Sequence, residues 1–144
     1  MTTTEYRIPI IPRGQGRPRA TIGAGGKPRM YESNADSAWR REFGLMFAGL
    51  YGQPRALCGG VGVHVFAVFP RPQRLRPKRY PDGYVLHDVK PDADNVAKIV
   101  LDALGQCGVW VDDAQVTDLR VTKRYAERDN EARLMIWVRS TSRD

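Results

Sequence analysis

The chain has 144 residues, of which 42% are hydrophobic and 27% charged, enough for one ordinary globular core and little more. Lys and Arg total 23 against 16 Asp and Glu, a formal charge of +7 with a pI near 9.8, which suits a partner rich in negative charge, nucleic acid by default. No apolar run approaches a bilayer span and "MTTTEYRIPIIPRG" lacks the basic-then-apolar layout of a secretion signal, so a cytoplasmic protein with no membrane partner is expected.

In chain order, Tyr6, Ile8 and Ile10 alternate as the apolar positions of a first strand, and Pro9 sets that strand at a sheet edge or ends it early. "SNADSAWRREFGLMFAGL" repeats apolar residues at helical spacing through Ala35, Ala38, Trp39, Phe43, Met46, Phe47 and Leu50, behind a capping box of Ser33 and Asp36. "VGVHVFAVFP" is apolar at nearly every position, which predicts an inner strand with both faces covered or paired. His64 within it reads as a core or near-core residue rather than a catalytic base. A second helix runs from about Asp94 to Leu104, with Val96, Ile99, Val100, Ala103 and Leu104 as its buried stripe and Gly105 and Gly108 at its end. "QVTDLRVTKRY" and "ARLMIWVR" read as two more strands. Leu119, Val121 and Tyr125 share a face of the first, Leu134, Ile136 and Val138 alternate along the second, and "AERDNE" joins them as a hairpin. The sum is an α+β fold: a small mixed sheet of about four strands with two main helices packed on it, in one domain over residues 1–144. Cys58 and Cys107 form no CxxC pair and lie at no zinc-ligand spacing from His64 or His87, so both read as buried free thiols.

Two connections stand out by charge. "RGQGRPRATIGAGGKPR", from Arg13 to Arg29, carries five basic residues and no acid, with glycines that let backbone amides approach a ligand. "RPQRLRPKR", from Arg71 to Arg79, carries five in nine. A solvated basic loop explains either alone; the pair shifts the reading toward phosphate contacts, with Arg17, Arg19, Lys27, Arg29, Arg74, Arg76, Lys78 and Arg79 as the candidates. A Walker-type loop is not present, since "GAGGKPR" has proline where Ser or Thr would follow the lysine.

"KPDADNVAKIVLDALGQCGVWVDD" sets Asp92 and Asp94 ahead of the second helix and Asp112 and Asp113 after it. Helix capping explains one aspartate at the first point, and turn formation explains those at the second. A helix from Asp94 to Gly105 is about 16 Å long, whereas the chain from Gly105 to Asp113 spans roughly 26 Å if extended, so it can run back beside the helix and deliver Asp113 to the N-terminal end. Carboxylates of Asp92, Asp94 and Asp113 gathered there would repel one another unless a hard divalent cation neutralised them. Such a cation beside basic loops suits phosphodiester hydrolysis. Lys98, one turn beyond Asp94, either touches the scissile phosphate or forms an i,i+4 ion pair with Asp94 or Asp102. Asn95 can fix a carboxylate, and Asp102 reads as solvent-facing.

"KPDADNVAKIVLDAL" followed by "GVWVDDAQVTDLRVTKRY" resembles the RusA family of Holliday junction resolvases. The resemblance lies in the PDxDN motif, the lysine four residues after its second aspartate, the DD-x-Q-V run about twenty residues on, and the N-terminal strand followed by a G-x-x-R-P-R type basic loop. It implies a homodimeric endodeoxyribonuclease that uses Mg2+, with Mn2+ able to substitute, and cuts four-way DNA junctions by paired symmetrical nicks. It implies metal-binding aspartates at Asp92, Asp94 and Asp113, with Asp112 as an alternative, and a functional lysine at Lys98. The dimer surface is expected at the first strand or around Phe43 and Phe47. The competing expectations are a nuclease for another branched or replication-associated DNA, and a non-catalytic nucleic-acid-binding module.

Overall fold

The computed structural model describes residues 2–16, 19–23, 25–31 and 33–141. In chain order these form β1 (Thr3–Ile8), β2 (Arg19–Ile22), β3 (Pro28–Tyr31), α1 (Asn34–Tyr51), β4 (Val61–Phe69), β5 (Val85–Leu86), α2 (Ala93–Gln106), β6 (Val116–Tyr125) and β7 (Arg133–Ser140). The main sheet is five-stranded and mixed, in the order β1-β7-β4-β6-β5, and β2 pairs with β3 as a separate ribbon. The fold is therefore the expected α+β class, with the short β5 as the strand beyond the four read from the sequence. Among the described residues no helix is long and apolar enough to cross a membrane.

β4 occupies the centre because it is the segment most apolar on both faces, and an inner strand satisfies its backbone from two neighbours. β1 lies at an edge, as Pro9 just beyond it predicts. The expected hairpin between "QVTDLRVTKRY" and "ARLMIWVR" does not form: β4 lies between β6 and β7, parallel to the first and antiparallel to the second. Parallel pairing requires a crossover, and α2 supplies it. This connection fixes α2 against the sheet and leads its C-terminal end directly toward the "GVWVDD" segment.

The core lies between the sheet and the two helices. Val61, Val63, Val65, Ala67 and Phe69 of β4 meet Leu134, Ile136 and Val138 of β7, Trp39, Phe43 and Phe47 of α1, and Val96, Ile99, Val100, Ala103 and Leu104 of α2. Every predicted stripe residue of α2 is buried. On α1 only Trp39, Phe43 and Phe47 of the predicted apolar set are buried, with Met46 packed against the core, while Ala35, Ala38 and Leu50 face solvent. Phe43 and Phe47 themselves stack at 6.2 Å inside the core, while Leu45 and Leu50 of the same helix are exposed. Truncating a phenylalanine so enclosed costs about 3–5 kcal/mol. Both cysteines are free, but Cys58 is exposed rather than buried.

Each basic connection has a structural arginine at its root. Arg71 is buried and donates Nε to the Leu75 carbonyl at 2.8 Å, Nη1 to Gly83 at 3.1 Å and Nη2 to Pro81 at 2.6 Å, folding the 71–83 loop around itself. Asp36 does more than the cap predicted for it. Its backbone N–H donates to Ser33 Oγ at 3.1 Å, and its buried carboxylate accepts from Arg13 Nε at 2.7 Å and Gly16 N at 2.9 Å. Beyond Gly16 the basic segment is a hairpin rather than a plain loop. Ile22 pairs with Pro28 across a turn in which Gly25 and Gly26 have φ of 89° and 75°, the left-handed region that favours glycine.

Candidate active site

α2 begins at Ala93 with Asp92 as its N-cap residue, in extended backbone geometry, yet the Asp92 side chain makes no cap hydrogen bond. Capping therefore does not account for that carboxylate. It lines an open cleft of about 660 Å³ with Gln15, Lys90 and Asn95. Asp94 follows in the first turn, exposed, with Oδ1 accepting from the Asn95 N–H at 3.0 Å. The root of the basic segment forms the opposite wall. Gln15 N donates to the Asn95 carbonyl at 2.9 Å, and a Cβ at Gly14 would collide with Pro91, so only glycine lets the two segments touch. From the other side Lys123 on β6 donates Nζ to the carbonyls of Val89 at 2.7 Å and Pro91 at 2.6 Å. It anchors the segment that carries Asp92. This positioning role was hidden in the sequence, where Lys123 reads as one more basic residue of a strand.

Asp113 lies elsewhere. It opens a short 3-10 turn over Asp113–Gln115, and its Oδ1 accepts from the indole Nε1 of Trp110 at 2.8 Å. Trp110 is 2% exposed, so this donor is held by the core. A Cβ on Gly105 would come within 3.2 Å of Asp113 Oδ1 and 3.4 Å of Trp110 Nε1; the bare glycine is what admits the carboxylate to the helix surface. Asp112 builds the turn itself. Its Oδ1 accepts from Ala114 N at 2.8 Å, and its N–H donates to Gln115 Oε1 at 3.0 Å, a complete capping box. Gln115 also donates to the carbonyls of Leu57 and Gly59, at 2.8 and 3.0 Å, tying the turn to the loop before β4.

The expectation that Asp113 returns to the N-terminal end of α2 is overturned. The span of an extended chain is an upper limit, and burial of Trp110 with the Asp112–Gln115 box halts the segment beside Gly105, about 16 Å along the axis from Asp94. Asp102 is also corrected. It is half-buried rather than solvent-facing and shares a cleft of about 370 Å³ with Gly105, Asp112 and Asp113. Burial first, and the Asp113 carboxylate second, push its carboxyl above the ordinary carboxylate range against the pull of Arg40 and Lys98. At about 100° per residue, Asp94, Lys98, Asp102 and Gly105 fall on one face of α2. That face thus carries Asp94 at one end, Lys98 in the middle and the Asp102–Asp113 pair at the other.

Oxygen donors of this kind suit a hard divalent cation. Within the described residues of one chain, however, no three Asp, Glu, His or Cys side chains gather closely enough to hold one. The face offers two partial sites. Of the other candidates, Lys27, Arg74, Arg76, Lys78 and Arg79 are exposed, with Arg79 over the Tyr80 ring at 5.1 Å. Arg17 and the side chains of Arg19 and Arg29 lie outside the described residues.

Carboxylates along a helix face, with the root of a basic segment packed at its N-terminal end on an α+β scaffold, are the equipment of a phosphodiester-cleaving enzyme. The chain belongs to the endodeoxyribonuclease RusA family, whose model matches residues 9–139, and it is by that membership an endodeoxyribonuclease. It is 32% identical over 147 residues to the uncharacterized protein YqaN of Bacillus subtilis (strain 168), across 99% of each chain. It is 44% identical over 45 residues to the crossover junction endodeoxyribonuclease RusA of Escherichia coli (strain K12) and of Enterobacteria phage 82. Each of those matches covers 31% of this chain and 38% of the relative.

Proposed function

We propose that this endodeoxyribonuclease resolves Holliday junctions in the cytoplasm by paired symmetrical nicks, acting as a homodimer with Mg2+, for which Mn2+ can substitute. The observation that carries the reading is the exposed face of α2, with Asp92 and Asp94 at one end and Asp113 at the other. Neither end is sufficient alone. Two copies related by a two-fold axis, with these faces antiparallel, would bring Asp92 and Asp94 of one subunit toward Asp113 of the partner subunit and repeat the site on the symmetry-related strand. Antiparallel helices also oppose their dipoles favourably.

In this reading Asp92, Asp94 and Asp113 hold the cation. When bound it supplies Lewis-acid stabilisation of the phosphodiester oxygens and of the departing alkoxide. The indole N–H of Trp110 keeps Asp113 oriented, and Lys123 keeps the backbone beneath Asp92 in place. Lys98 faces the negative charge that develops on the scissile phosphate. Lys27, Arg74, Arg76, Lys78 and Arg79, together with Arg17, Arg19 and Arg29, hold the junction arms through their phosphates. Asp112 remains with its turn.

The test is cleavage of a labelled synthetic four-way junction with and without Mg2+. Wild-type protein should make paired nicks only with the metal. Asp94→Asn, which removes a charge at nearly constant volume, should abolish nicking while junction binding persists. Wild-type cleavage by Asp94→Asn would remove Asp94 from the ligand set.

A further inference from the structure

α1 and α2 pack against one face of the main sheet, and among the described residues no helix covers the other. On that outer face His64 of β4 lies in register between Trp137 of β7 and Arg120 of β6. One row further, Phe66 lies between Met135 and Thr122, while β1 sets Glu5 beside Trp137 and Arg7 beside Met135. Solvent-facing positions of a one-sided sheet normally carry polar residues. Here the inner strands present rings instead. His64 and Trp137 lie 5.2 Å apart at 33°, and Phe66 meets Tyr84 edge-on at 5.2 Å. All three of His64, Phe66 and Trp137 are partly exposed and stand outside the core cluster.

Arginines surround the rings. Arg7, Arg120, Arg124, Arg133 and Arg139 project on this side, against carboxylates at Glu5, Asp118 and Glu127. The Arg7–Glu5 and Arg139–Asp118 pairs are exposed, and such pairs are worth little, so their guanidiniums can be given over to a phosphate. His64, Arg120, Trp137 and Arg139 line a cleft of about 270 Å³ over Gly62, where a Cβ would come within 3.2 Å of Arg139 Nη2. A glycine inside a strand weakens it, and here it leaves that floor open.

We propose that this outer face binds unpaired nucleotides, its rings stacking bases while the arginines around them contact the backbone. Three occupants compete, and the chemistry separates them. A second copy would set an arginine-rich face against itself. A duplex keeps its bases stacked internally, so the rings would have no counterpart and only phosphates would be met. A single strand offers both the π-faces and the phosphates. Positions two apart along a strand are about 6.6 Å apart, wide enough for His64 and Phe66 to serve successive splayed bases. The surface lies on the opposite side of the sheet from α2 and does not rest on the assignment of the metal ligands.

The experiment measures anisotropy of a labelled oligo-dT 20-mer and of a 20-bp duplex with the full chain, without divalent metal. Trp137→Ala should weaken oligo-dT binding about 10-fold, the loss of one stacked base, and duplex binding less than twofold. Trp137→Phe should restore most of the oligo-dT affinity. Arg120→Ala, at an exposed position that leaves packing intact, should weaken it several-fold and lower the salt slope by about one. Trp39 and Trp110 are buried, so tryptophan emission quenched by oligo-dT should report Trp137 and vanish in Trp137→Ala. Unchanged oligo-dT affinity in both Trp137→Ala and Arg120→Ala would overturn the proposal. Equal losses for duplex and single strand would overturn it in favour of phosphate contact alone, and a wild-type dimer that sediments as a monomer in Trp137→Ala would overturn it in favour of a second copy.

Discussion

Replacing Arg13 by Gln tests the contact that fixes the basic segment to the rest of the fold. The Asp36 side chain is 1% exposed and that of Arg13 is 39% exposed, with Arg13 Nε to Asp36 Oδ1 at 2.7 Å. Removing one member of a buried pair costs about 3–5 kcal/mol when the stranded charge has no other partner. Two features reduce that figure here: Gly16 N still donates to Asp36 Oδ2 at 2.9 Å, and Asp36 lies in the first turn of α1, where the helix dipole favours a carboxylate. A cost of about 2–3 kcal/mol remains, which lowers Tm by about 5–10 °C for a chain of this size. Asp36→Asn should cost less, about 1–2 kcal/mol, because the half-exposed guanidinium can turn to water. The assay is urea and thermal unfolding of wild type, both single variants and the Arg13→Gln/Asp36→Asn double variant. A coupling of at least about 1 kcal/mol, little changed in 0.5 M salt, is expected because a buried pair is poorly screened. Arg13→Gln melting within 1 °C of wild type, or a coupling near zero, would show that the pair does not hold the segment.

Further outcomes follow from the same structure. Burial first, then Lys123, holds the His87 imidazole below its ordinary pKa of 6.5; the folded state favours the neutral ring stacked on Phe69 at 4.0 Å. His87 therefore contributes stability that is complete above pH 6.5 and is lost as pH falls through the folded value, so the urea midpoint should fall between pH 7 and pH 5, and fall less in His87→Phe. Gly105→Ala should raise the Mg2+ concentration needed for half-maximal cleavage, because its Cβ would crowd Asp113 Oδ1 at 3.2 Å, and that crowding should offset the gain of up to about 1 kcal/mol that alanine brings to a helix. Wild-type metal dependence in that variant would remove Asp113 from the site. Replacing Arg74, Arg76, Lys78 and Arg79 together should lower the log–log salt slope of junction binding by about one unit per lost phosphate contact, and an unaltered slope would make them plain surface.

Local pattern carried much of the architecture. The continuous apolar run of β4, the 3.6-residue stripe of α2, the Ser33 cap and the proline after β1 each have one cheap structural solution, and the chain adopts it. Contacts distant in sequence were hidden. Nothing local to β6 and β7 says that β4 inserts between them, because the choice depends on which strand gains most from two neighbours. Arg71 and Lys123 read as surface charge but turn inward, since a long side chain can satisfy carbonyls that composition does not reveal. Chain reach bounds the position of Asp113 without choosing it, and so admits the wrong end of α2. The choice was made by a buried tryptophan, a capping box and a glycine, all visible as residues but not as partners. Similarly, Phe43 and Phe47 could serve a partner or the core, and only packing decides for the core.

The central claim is that Asp94 of one subunit and Asp113 of the partner subunit act in one site, and mixing two inactive variants tests it directly. Asp94→Asn and Asp113→Asn homodimers should each fail to nick a labelled four-way junction in Mg2+. After subunit exchange, a heterodimer assembled across the proposed axis has one site with both substitutions and one with neither. It should therefore nick a single strand, reaching about half the mixed population if exchange is random, without completing resolution. Should the exchanged mixture prove as inactive as the two parents, with heterodimers verified by mass, the residues act within one subunit or not together, and the shared site would be wrong.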